Sequence, residues 1–176
     1  MKRLLIFLTF VFAVAMHADE LTPWTNLAGL KRFSPPVHVS LNLRGAEELG
    51  LNATDIQSVV VKELTNAGLL GSKSTDLPLL QVVITGEGTG GGGASYTVEA
   101  LITSYIPSPF TAARTIQAII WRGTRSEHQA MTYDPKLKKI INPPGTPKER
   151  IHTTVLNVIR ELIGDLRKAN PSKTAG

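Results

Sequence analysis

The chain has 176 residues, with 19 Lys and Arg against 14 Asp and Glu, a formal net charge of +5 and no cysteine. The missing cysteine excludes a disulfide framework, a thiol nucleophile and a lipid-acceptor thiol behind an export signal. Loss of Lys2 and Arg3 with such a signal lowers the charge to +3, a basic excess too small to point to a nucleic-acid partner.

Lys2 and Arg3 open the chain, residues 4–14 are almost wholly apolar, and small residues follow at Ala13, Ala15 and Ala18. That run is too short for roughly 30 Å of hydrocarbon, which takes about 20 residues to cross. The pattern reads as a cleavable secretory signal over residues 1–18, cut after Ala15 or Ala18. It predicts an exported protein, periplasmic or extracellular, with no transmembrane segment in the mature chain. The rest, about 155 residues, suits one domain and can bury roughly 70% of its unfolded surface.

Residues 19–36 carry Pro23, Pro35 and Pro36 around Trp24 and Phe33 and read as an extended lead-in pinned by its aromatics. Residues 37–43 alternate, with Val37, Val39, Leu41 and Leu43 on one face and His38, Ser40 and Asn42 on the other, as a half-buried strand does. A helix follows: Asn52 is its cap, Asp55 favours its positive end, and Ile56, Val59, Val60 and Leu64 form its apolar face. Asn66-Ala67-Gly68 stops it. After a polar loop at 72–76, a second strand is predicted over 79–85, a glycine-rich loop over 86–93, and a third strand from Tyr96 to about Ile106. A fourth strand runs from about Thr115 to Arg125, and residues 127–147, with four prolines, read as a long loop. The final helix has the cleanest signal. Thr146-Pro147-Lys148-Glu149 supplies cap, first-turn proline and capping-box glutamate. Ile151, Val155, Val158, Ile159, Leu162, Ile163 and Leu166 form its stripe, Asn170-Pro171 closes it, and 171–176 is expected to be a disordered tail.

The order β-α-β-β-β-α predicts a single α/β (α+β) domain over 37–170. It is a two-layer sandwich in which a four-stranded mixed sheet carries both helices on one face. The first two strands are parallel through a right-handed crossover, and the other sheet face is left open. On that face the alternation places Val83, Leu101, Tyr105, Ile119 and Trp121 as an apolar patch of the kind that marks interaction sites. Trp121 is its expected centre, with Gly123 nearby as a candidate bulge. Lys136, Lys138, Lys139, Lys148 and Arg150 form a basic stretch able to meet an anionic headgroup.

Gly86-x-Gly88-x-x-Gly91 matches the dinucleotide fingerprint as a string, but a strand rather than a helix follows it, so no nucleotide cofactor is implied. No serine-elbow, Ser-x-x-Lys or paired-histidine zinc motif is present, and no catalytic, metal or cofactor site is assigned. Glu127, His128 and Asp134 are the one grouping that offers the residue types of a hydrolytic site.

The signal, the strand at 37–43, the helix ending Leu64-Thr65-Asn66-Ala67-Gly68-Leu69, three strands and a closing helix resemble the LPS-assembly lipoprotein family. The plan over roughly residues 37–168 is also similar to the N-terminal domain of TolB-type envelope proteins. The resemblance implies a non-enzymatic accessory role in the envelope. The expected function is therefore a periplasmic binding or assembly module whose partner is an envelope protein or an anionic lipid or glycolipid. The alternative is a hydrolase of unfamiliar type near Glu127, His128 and Asp134.

Overall fold

Alternation over residues 37–43 does produce a strand, and it is longer than its apolar run: β1 (Ser34–Arg44). The computed structural model describes residues 25–74, 77–89, 93–108, 115–129, 132–136, 138–141 and 145–171. The signal read at 1–18, Pro23 and Trp24, and the tail at 172–176 lie outside them.

Helix α1 (Ala53–Asn66) starts where Asn52 Oδ1 accepts the Asp55 amide at 2.7 Å. It buries Ile56, Val60 and Leu64, one face at helical spacing. Its end closes as Gly68 turns to φ +70° and the Leu69 amide donates to Leu64 O at 2.9 Å. Strand β2 (Leu79–Thr89) then pairs parallel with β1, His38 opposite Gln81. Strands β3 (Gly93–Pro107) and β4 (Thr115–Gln129) complete an antiparallel meander, giving the order β1-β2-β3-β4.

Helix α2 (Pro147–Ala169) opens on the expected capping box. Thr146 Oγ1 accepts the Glu149 amide at 3.2 Å, and the Thr146 amide donates to Glu149 Oε2 at 2.7 Å. Its whole predicted stripe, from Ile151 to Leu166, is buried. Both helices lie on the sheet face formed by Leu80, Val82 and Ile84 of β2 and Val98, Ala100 and Ile102 of β3, all buried. The fold is the expected two-layer α+β sandwich. Each fully buried Leu or Ile contributes about 1.5–3 kcal/mol, which is why the two stripes decide the layering.

The described part of the lead-in joins the helix side. Leu27 and Phe33 are fully buried, and the Phe33 amide donates to Leu69 O at 2.8 Å. Asn170, just past α2, grips the turn at 27–30: its Nδ2 donates to Leu27 O at 3.0 Å and its Oδ1 accepts the Gly29 amide at 2.6 Å. These residues therefore do not cover the open face.

Two loop expectations are corrected. Residues 86–93 are mostly strand, since β2 continues to Thr89 and β3 begins at Gly93. Gly86 is needed there because an added Cβ would overlap Ser95 O of the neighbouring strand. The stretch 127–147 is likewise not one long loop. Strand β4 continues to Gln129, and a hairpin of β5 (Thr132–Asp134) and β6 (Lys139–Ile141) follows, Thr132 opposite Ile141.

Candidate functional site

The sheet register sets out the open face as rows of side chains. His38, Gln81, Leu101 and Arg122 form one row, and Ser40, Val83, Glu99 and Thr124 the next. On the other side of the first row come Leu79, Thr103 and Ile119, then Tyr105 and Gln117. Val83 and Leu101 are half-buried by their neighbours, while Tyr105 is 60% and Ile119 58% exposed. The middle of the face is not continuously apolar, because the Arg122 guanidinium is ion-paired with Glu99 there. Exposed apolar surface instead gathers at the end where β1 and β2 begin.

Trp121 is not on this face. It is 4% exposed on the helix side, where its Nε1 donates to Asp165 Oδ2 of α2 at 3.2 Å. The cause is a bulge. Ile102 pairs with Trp121 but Thr103 pairs with Ile119, so Ile120 is an extra residue in β4. It reverses the alternation and leaves Ile119 outside and Trp121 inside. Gly123 is not the bulge. It lies on the covered side, and a Cβ there would overlap the Trp121 ring, so its lack of a side chain makes room for the indole.

At the apolar end of the face lies a cleft of about 500 Å³. Pro35, Pro36, Leu77, Leu79 and Tyr105 give it apolar walls, and His38, Lys73, Ser74 and Thr103 supply its polar groups. The wall carrying Lys73 and Ser74 is tied down. Ser34, itself buried, accepts the Ser74 amide on Oγ at 3.1 Å and donates its own amide to Pro78 O at 3.0 Å. The Gly71 amide donates to Phe33 O at 3.0 Å, and a Cβ on Gly71 would come within 2.9 Å of Leu77. Sequence reasoning placed His38 and Tyr105 on this face but missed Pro35, Pro36, Lys73, Ser74 and Leu77. A turn that returns across a strand end leaves no periodic trace in the sequence.

Glu127 and His128 do not converge. Adjacent strand residues point to opposite faces, and each here follows that rule. Glu127 is on the helix side, accepting Tyr96 O–H on Oε2 at 2.8 Å and Thr154 Oγ1–H on Oε1 at 2.7 Å. His128 is exposed, opposite Ser95 of the open face. The side chain of Asp134 lies outside the described residues. Burial pushes the Tyr96 hydroxyl up to about 12, and the Glu127 carboxylate adds to the rise against the Thr154 contact. Tyr96 is thus a fixed donor that joins β3 to β4 and α2. Among the described residues no three His, Asp or Glu side chains gather to hold a metal.

The basic stretch is divided as well. Lys148 Nζ is 2.9 Å from Asp55 Oδ2, linking the two helix starts, and this bond holds the Asp55 carboxyl below its ordinary range. Arg150 Nη1 donates to Gly145 O at 2.7 Å. Lys136 and Lys138 are exposed at the β5–β6 turn, and the Lys139 side chain lies outside the described residues. Among the described residues no helix is long and apolar enough to cross a membrane.

No protein-family model matches the chain, and no curated protein matches it. Among solved structures it is similar to the rare lipoprotein B from Shewanella oneidensis, at a TM-score of 0.26 and 13% identity, over 75% of this chain and 89% of that one. It is also similar to a minor lipoprotein from Acinetobacter baumannii, at a TM-score of 0.25 and 17% identity, over 76% of this chain and 91% of that one. Likenesses this distant carry no residue, partner or activity over to this chain.

Proposed function

We propose that this protein is an exported, non-enzymatic binding or assembly module of the cell envelope, and that the open sheet face is its working surface. The observation that carries the reading is the cleft of about 500 Å³ at the apolar end of that face, beside Tyr105 and Ile119. Helices bury the other side of the sheet, and the described lead-in packs with them. Exposed apolar side chains gathered around a concavity are the usual form of an interaction site. Export rests on residues 1–18, whose basic start, short apolar centre and small-residue exit fit a cleavable signal.

The test is affinity capture from native envelope extract with the mature chain, Tyr105→Asp and Ile119→Asp, each checked by thermal melting. Both side chains are more than half exposed, so both variants should melt close to the parent while capture is lost. Capture unchanged in both variants would defeat the reading. For export, mass spectrometry of the protein purified from its own cells should find residues 1–15 or 1–18 removed, and retention of residues 4–14 would refute it.

A further inference from the structure

The cleft is chemically lopsided. Its walls are apolar, and among the described residues the two ionisable groups that line it, Lys73 and His38, are both nitrogen bases. No acidic residue lines it among the described residues. Elsewhere on the face charges are matched, Arg122 with Glu99 and Arg44 with Glu87. Lys73 and His38 have no such acidic partner among the described residues. An ammonium and an imidazole lining an otherwise apolar concavity are complementary to a compact anion joined to an apolar body.

Size and rigidity narrow the occupant. A volume of about 500 Å³ lies inside the roughly 300–1,000 Å³ of small-molecule pockets. The Ser34–Ser74 and Phe33–Gly71 bonds hold the loop wall in place before any ligand arrives, which lowers the ordering cost of binding. The Thr103 hydroxyl already accepts Gln117 Nε2 at 3.1 Å, so the strand floor is orderly too.

We infer that this cleft binds a small amphipathic carboxylate, its apolar body against Pro35, Pro36, Leu79 and Tyr105 and its carboxylate at Lys73 beside His38. This deepens the proposed binding role of the open face and rests on it.

The experiment is an amide-resolved NMR titration of the mature chain with sodium decanoate, and with decyltrimethylammonium as a cation of equal tail length. Decanoate should shift the Leu79, Thr103 and Tyr105 amides to saturation, and the cation should not. Lys73→Glu should weaken decanoate at least tenfold with melting unchanged, while Lys73→Arg should keep most of the affinity. Absence of saturable shifts, equal binding of the cation at the same amides, or an unaffected Lys73→Glu would each overturn the inference. If decanoate fails while Tyr105→Asp still abolishes envelope capture, the ligand class is wrong and the binding face survives. If decanoate binds as described while capture survives Tyr105→Asp, the cleft ligand stands and the envelope-partner reading falls.

Discussion

The Trp121 indole fills the space that a side chain at position 123 would need. Gly123→Ala should therefore destabilise the fold by about 1–3 kcal/mol, the usual cost of overpacking, measured by chemical denaturation. Gly164 in α2 is the opposite case, because nothing lies within 4 Å of an added Cβ and the backbone is already helical. Gly164→Ala should raise stability by about 0.5–1 kcal/mol. His152 provides a pH signature. Burial of the ring, with Lys148 nearby and Asp55 opposing, lowers its affinity for a proton below the ordinary 6.5. Its Nε2 is buried without a partner among the described residues. The unfolded chain therefore binds that proton first. The His152 contribution is fully present above pH 6.5 and is lost as pH falls below it. Denaturation midpoints from pH 7.5 to 5 should fall in the parent and flatten in His152→Gln, and equal slopes in the two would contradict this.

At the scale of elements, α2 dominates. Ile159→Ala or Leu162→Ala should cost roughly 2–5 kcal/mol, since both side chains are fully buried between helix and sheet. Just past its far end Asn170 hydrogen-bonds the lead-in turn, so Asn170→Ala should raise hydrogen exchange at the Gly29 amide before any global unfolding. These elements were legible in the sequence because their signals are local. The capping box needs four consecutive residues, the stripe of α2 repeats at one period, and β1 alternates without a fault. Trp121 was misassigned because the bulge at Ile120 is a property of the β3–β4 register, and register depends on a partner strand. Gly123 did carry a clue, but it marks space for the indole rather than a change of phase. The cleft was out of reach for the same reason, since Lys73 and Leu77 come from a turn whose position beside Tyr105 is set by bonds to residues 33 and 34.

Across the whole molecule the two sheet faces differ in kind. One is sealed by α1, α2 and the turn at 25–27, and the other carries paired charges at its centre and apolar side chains at one end. That division lets the open face change without touching the core, which is why Tyr105 and Ile119 are the informative positions to substitute. The bond from Gln57 Nε2 to Val37 O, 2.7 Å long, reaches from α1 to the outermost strand of the sheet. Together with the proline pair Pro35–Pro36, which has no amide proton to offer, it leaves fewer backbone groups on which a strand from another molecule would otherwise template. Sheet-on-sheet polymerisation is thus obstructed along the start of β1, and along β4 it meets the kink at Ile120 and the charges of Arg122 and Arg125. Each edge of the sheet thus carries a device against pairing with another copy, and the exposed apolar cleft lies beside the one at the start of β1.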